Sequence, residues 1–207
     1  MIKIERNTKE TQIKLAMEYP GTERALRFPC GFLEHMLDLL AHRSGFGLTI
    51  EAMGDVKVDA HHLAEDLGIV LGQGILELAR ATPRIRYGWC LLPMDGSLAQ
   101  IALDLSGRGG FYWNGNFPTE KCGDFDLELV PEFFRGFCRE GRITLHATLL
   151  AADNSHHAAE AVFKGVGMAL SQALKPATGN PSSMSENPVM SSAVAIFPGK
   201  TTSMGRR

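Results

Sequence analysis

Two histidine pairs, His61-His62 and His156-His157, are each followed three residues later by a glutamate, Glu65 or Glu160. In a helix, positions i, i+3 and i+4 share a face, so each glutamate can meet a metal ion bound by one of its two histidines. Adjacent helical residues point about 100° apart, so the two histidines of a pair are expected to serve different ions. Two such motifs supply six ligands. His35, in Glu34-His35-Met36, is the candidate seventh, and an eighth is to be sought in the segment Pro131–Phe137. Imidazole and carboxylate without thiolate favour manganese, iron or zinc over calcium or magnesium, and four protein ligands on an octahedral ion leave two positions for substrate or water. A hydrolytic zinc enzyme is disfavoured, because HHxxE lacks the HExxH order that sets a glutamate beside a metal-bound water. His42 and His146 stand alone, and for them a hydrogen-bonded structural role weighs as much as a direct one.

The elements that must carry these groups follow from periodicity and punctuation. Up to about Pro29 the chain reads as strand and turn, with alternation over Thr11–Leu15. Phe32–Leu40 reads as a helix stopped by Gly45, and Gly47–Val58 as a strand broken at Gly54-Asp55. A second helix, capped by Asp59, holds His61 and His62 in its first turns. The plan then recurs: a strand over Ser97–Leu105, a helix over Pro131–Phe137, a strand over Arg142–Leu150, and a helix from the cap Asn154 to about Leu174. The two HHxxE motifs lie 95 residues apart, so the chain is read as an internal duplication. Its expected units are residues 1–88 and 89–177, each with one motif, followed by a Pro/Ser/Gly-rich tail over 178–207.

Bulk properties bound the setting. The 207 residues are 44% hydrophobic, with Lys+Arg 21 against Asp+Glu 23, a balance that gives no global attraction to nucleic acid or an anionic membrane. No apolar run approaches the ~18 residues of a membrane span, and the start, MIKIERNTKETQIKL, is too charged for a secretion signal, so a cytoplasmic protein is expected. Cys30, Cys90, Cys122 and Cys138 form no CxxC pair and are read as buried hydrophobes.

The stretches Phe32-Leu33-Glu34-His35-Met36-Leu37-Asp38, Asp59-Ala60-His61-His62-Leu63-Ala64-Glu65-Asp66, Leu105-Ser106-Gly107-Arg108 and Asn154-Ser155-His156-His157-Ala158-Ala159-Glu160-Ala161 closely resemble the imidazoleglycerol-phosphate dehydratase family of histidine biosynthesis. The resemblance runs in order from about Asn7 to Leu174. It implies an α+β fold built as a tandem split β-α-β unit like that of ribosomal-protein domains, with two four-stranded sheets and helices packed between. It also implies two Mn2+ ions per active site and a homo-oligomer of 24 subunits with sites between chains.

Carried over by residue, the resemblance makes His35, His61, His62, Glu65, His156, His157 and Glu160 metal ligands and Glu10 a catalytic acid/base. Arg86 and Arg108 become phosphate grips and His42 a substrate contact. Two positions depart from the family pattern. Glu132 stands where a histidine equivalent to His35 is usual, and can still ligate manganese; the Pro-Ser-Ser/Thr-Lys-Gly phosphate motif survives only as Pro181-Ser182-Ser183-Met184-Ser185, without its lysine. Ser182 and Ser183 are kept as substrate-binding candidates. The implied reaction removes water from a diol phosphate on an imidazole ring and gives imidazole acetol phosphate. Alternatives are a paralogous metal-dependent lyase acting on another imidazole or phosphorylated diol, and a non-catalytic metal-binding oligomer.

Overall fold

The structure, a computed structural model, describes residues 1–177. The first repeat opens with strands β1 (Ile2–Asn7), β2 (Thr11–Glu18) and β3 (Arg24–Arg27), followed by helix α1 (Gly31–Ser44), strand β4 (Gly47–Gly54) and helix α2 (His61–Ala81). The second runs through β5 (Tyr87–Met94), β6 (Ser97–Asp104), β7 (Gly110–Asn114), a small hairpin β8 (Lys121–Cys122) and β9 (Phe125–Asp126), α3 (Leu129–Gly141), β10 (Thr144–Ala151) and α4 (Ser155–Ala173).

The duplication is visible in the sheets. Their orders, β1-β2-β4-β3 and β5-β6-β10-β7, are the same once equivalent strands are matched. In each, the second strand pairs antiparallel with both neighbours and the edge strand, β3 or β7, runs parallel to β4 or β10. Alternation decides which face is covered: Ile13, Leu15 and Met17 of β2 point into the core while Gln12, Lys14 and Glu18 face out. The helices lie between the sheets and contact one another across repeats, α1 with α4 and α2 with α3. The second contact is close because of glycine: a Cβ at Gly68 or Gly72 would collide with the carbonyl oxygens of Phe133 and Phe137. Phe133, Phe134, Phe137 and Phe163 pack as a buried aromatic cluster behind it.

Some boundaries differ from the sequence reading. Ala60, not Asp59, occupies the cap position of α2, although Asp59 still accepts the His61 N–H through Oδ1 at 2.8 Å. Asn154 caps α4 as expected, with its Oδ1 accepting the His157 N–H at 3.1 Å. Helix α3 begins two residues before Pro131, which therefore sits in the first turn, where its missing N–H leaves no helical bond unmade.

Candidate metal centre and active site

The caps fix what the first turns display. Asn154 starts α4 so that His156 and Glu160 share a face, and α1 lies alongside with His35 in its own first turns. His35 Nε2 stands 2.9 Å from Glu160 Oε1, and His156 Nε2 stands 3.3 Å from the same oxygen. One ligating atom from each of these three residues falls within 4.8 Å of the others, a spacing suited to a single ion. The ring of His156 is held edge-on against Phe32, which in turn stacks on Phe125.

Glu160 is 7% exposed. Burial alone would raise its pKa, but the hydrogen bond from Lys164, at 2.6 Å, together with those from His35 and His156, outweighs this and holds it near 2. A carboxylate kept charged in a buried setting beside two imidazoles is the donor set that a divalent transition metal takes. Next to it, His157 Nδ1 is buried and has no hydrogen-bond partner among the described residues, standing 3.4 Å from Asp95 Oδ2. The rings of the two pairs stand nearly perpendicular, at 90° for His61 and His62 and 83° for His156 and His157, so neighbours aim apart as helical geometry requires.

At the equivalent end of the first repeat the groups do not converge in the same way. His62 Nδ1 faces both carboxylate oxygens of Asp55, at 3.0 and 3.2 Å, and that hydrogen bond raises its pKa. Glu65 receives Arg139 at 3.0 Å, and Glu132 pairs with Arg135 one turn along its own helix. Among the described residues, His35, His156 and Glu160 form the one three-residue cluster with metal-ligand spacing. Glu10 lies in the exposed turn between β1 and β2 and is close enough to His62 to act on its charge.

The remaining candidates lie elsewhere. His42 is exposed in the last turn of α1, and Ser182 and Ser183 lie outside the described residues, as does Met184. Arg86 has a φ of 82°, a left-handed conformation rare outside glycine, pinned by its N–H to Ala173 O and by Leu105 N–H to its own carbonyl. Its guanidinium forks onto Asp104, with Nε 2.6 Å and Nη2 3.0 Å from the two oxygens, and sits 5.0 Å from the Tyr87 ring centroid. Arg108 is exposed in a turn organised by Ser106, whose hydroxyl donates to Arg108 O at 2.9 Å, while Gly107 takes a φ of 74°. Sequence reasoning missed Lys164, Asp55 and Asp104. The spacing of Lys164, four residues after Glu160 on one helix, was a usable signal; the others meet their partners through strand and loop pairing.

A model of the imidazoleglycerol-phosphate dehydratase family matches residues 29–170. The chain belongs to this family. It is 46% identical over 168 residues to the imidazoleglycerol-phosphate dehydratase of Staphylococcus epidermidis, covering 81% of this chain and 88% of that one. Identity reaches 49% over 174 residues with the enzyme of Roseobacter denitrificans, at 83% and 89% coverage. The crystal structure of the Staphylococcus aureus enzyme superposes with a TM-score of 0.78 at 39% identity, covering 84% of this chain and 98% of that chain. The α+β fold class expected from the sequence, with its two four-stranded sheets, is thus that of the family.

Proposed function

We propose that His35, His156 and Glu160 are the core of a manganese-dependent active site, and their convergence from two repeats onto one 4.8 Å cluster is the observation that carries this reading. As a member of its family the chain is a hydro-lyase of histidine biosynthesis, dehydrating imidazoleglycerol phosphate to imidazole acetol phosphate. Two Mn2+ ions serve each active site, with His61, His62, Glu65, Glu132 and His157 supplying the other ligands in an assembly of 24 subunits. Bound there, manganese supplies Lewis acidity and a template for the imidazole ring. The exposed side chains Tyr87, Trp89, Leu91, Tyr112 and Leu150, on β5, β7 and β10, give the chain an apolar surface consistent with oligomerisation. A cytoplasmic setting and a two-unit chain belong to the same reading, with the division best set in the linker between α2 and β5, since residue 88 lies inside β5; the tail expected from 178 lies outside the described residues.

The protein's own groups divide the work. Glu10, a carboxylate beside His62, removes the carbon-bound proton or returns it, a contribution of about 10²–10⁴-fold for a well-placed general base. Arg86 and Arg108 grip the phosphate, and Asp104 keeps the Arg86 fork in one plane so that phosphate meets an ordered guanidinium. His42, Ser182 and Ser183 complete the substrate contacts. The test is direct: manganese-loaded protein supplied with imidazoleglycerol phosphate should yield a product whose enol absorbs in the ultraviolet after alkali. Metal analysis should give two manganese ions per chain, and native mass measurement 24 chains. No ultraviolet-absorbing product from fully loaded protein refutes the catalytic reading.

A further inference from the structure

Asp66 is a buried carboxylate that the reaction above does not use, with a side chain 9% exposed. Burying a carboxylate is costly unless it is paired and hydrogen-bonded. Both of its partners come from the strands on either side of the Glu10 turn. Arg6 Nε of β1 stands 2.8 Å from Oδ1 in an ion pair, and the Thr11 hydroxyl of β2 donates to Oδ2 at 2.5 Å.

The hydrogen bonds continue into the turn. With the Thr11 proton committed to Asp66, the Thr11 oxygen is left to accept from the Thr8 hydroxyl, 3.2 Å away. Thr8 Oγ1 then accepts the N–H groups of Glu10, at 3.1 Å, and of Thr11, at 2.9 Å. One carboxylate on α2 therefore orders the hydroxyls that hold the backbone of Glu10. Helix α2 also displays His61, His62 and Glu65, so the same residue joins the Glu10 turn to the helix that faces it.

The second repeat provides an internal control. The position equivalent to Asp66 is Ala161, fully buried, and the turn between β5 and β6 is tied instead by the Ser97 hydroxyl donating to Asp153 at 3.0 Å. The fold therefore packs this helix against this sheet without a carboxylate there. Asp66 occurs in the repeat whose turn carries Glu10.

We infer that Asp66 is a positioning residue, which through Thr11 and Thr8 fixes the Glu10 carboxylate relative to α2. This rests on Glu10 being the acid/base group. Asp66→Asn keeps the shape but turns an amide N–H toward Arg6 or Thr11, two donors, and so breaks one arm of the clamp. In manganese-loaded protein we expect kcat to fall about 10–100-fold with KM within about twofold, because a group misplaced by about 1 Å loses that much. Amide exchange at Glu10 and Thr11 should quicken while exchange along α2 is unchanged. Adding Asp66→Asn to Glu10→Gln should lower kcat no further than Glu10→Gln alone. Thr11→Val, which deletes the linking hydroxyl with little change of volume, should reproduce the kcat loss and serves should Asp66→Asn fail to fold. Losses that multiply in the double variant overturn the inference, as does normal kcat in Thr11→Val. An inactive Glu10→Gln beside a fully active Asp66→Asn overturns this inference alone; a fully active Glu10→Gln overturns the acid/base reading and this inference with it.

Discussion

The two ends of the helical layer carry the same motif on the same fold and differ in what their neighbours supply. Where α1 meets α4, His35 and His156 share one oxygen of Glu160, and Lys164 takes the other. Where α2 meets α3, Glu65 and Glu132 are each held by an arginine, and His62 turns to Asp55. The residues at equivalent positions explain the contrast. Lys164 corresponds to Ile69, so Glu65 has no cation one turn along its own helix and takes Arg139 from α3. His35 corresponds to Glu132, so α3 offers a second anion in place of an imidazole that can share a proton. A duplicated scaffold fixes where side chains begin; the charge of their neighbours decides where they end.

Breaking the converged end should have the largest effect. Glu160→Gln keeps the shape and removes the anionic oxygen that both histidines face, so manganese affinity should fall by about 100-fold or more, and activity with it, by comparison with the 10–100-fold typical of outer-shell changes. Manganese titration of chelator-treated protein measures this, and wild-type affinity in the variant would remove Glu160 from the ligand set.

The opposite end can be sharpened. Glu132→His replaces an anion by a neutral imidazole, which leaves the metal more electron-poor and releases Arg135 from its carboxylate partner. We expect kcat/KM to rise about 3–10-fold, within the 1.4 kcal/mol that a tenfold change represents. Combining it with Met184→Lys should add phosphate affinity and show in KM. A fall in kcat/KM for Glu132→His would show that the glutamate suits this site better than the imidazole.

A smaller and pH-dependent effect isolates Lys164. Burial raises the Glu160 pKa, and Lys164 is the largest cause that lowers it, to about 2 from the usual 4.5. A carboxylate depressed in the folded state adds stability at pH values above its unfolded pKa, and that stability is lost as pH falls toward the folded value. Lys164→Met raises the folded pKa, so less of this stability is present near neutrality and the loss begins at higher pH. In metal-free protein the acid-unfolding midpoint should move upward. An unchanged midpoint would mean that His35 and His156 alone hold the carboxylate charged.

How much of this was legible beforehand follows from chain distance. The repeated motif, the caps and the helices bearing the HHxxE histidines are local patterns, and the sequence reading located them to within a few residues. Strand β5 escaped because Trp89 and Leu91 are apolar on the outer face as Cys90 and Leu92 are on the inner, which erases the period-two signal. Strand β3 is four residues at a sheet edge, too short to show a period. The pairing of Glu65 with Arg139 across 74 residues, and of Thr11 with Asp66 across 55, depends on packing between elements whose register no local pattern specifies. His35 is a ligand candidate on the residues alone, but its meeting with Glu160 is specified neither by the local pattern nor by the family resemblance, since 125 residues separate them.

The smallest expected effect tests the arginine at the unconverged end. Arg139 and Glu65 have side chains 55% and 34% exposed, so their ion pair is screened by solvent and contributes about 0–1 kcal/mol to stability. Arg139→Gln should therefore leave the melting temperature of metal-free protein nearly unchanged. It should nonetheless strengthen manganese binding, because Glu65 no longer has to leave a cation before it can ligate a metal, and the competition between one guanidinium and one divalent ion for the same oxygen disappears. The expected gain is no more than a few-fold, the size of the pair that was lost. Manganese titration of the variant beside the parent, at low and at high salt, separates this from a general charge effect. If Arg139 competes through its contact with Glu65, the gain should shrink as salt screens the pair in the parent protein; a gain that is independent of salt would place the cause in the packing of α2 against α3.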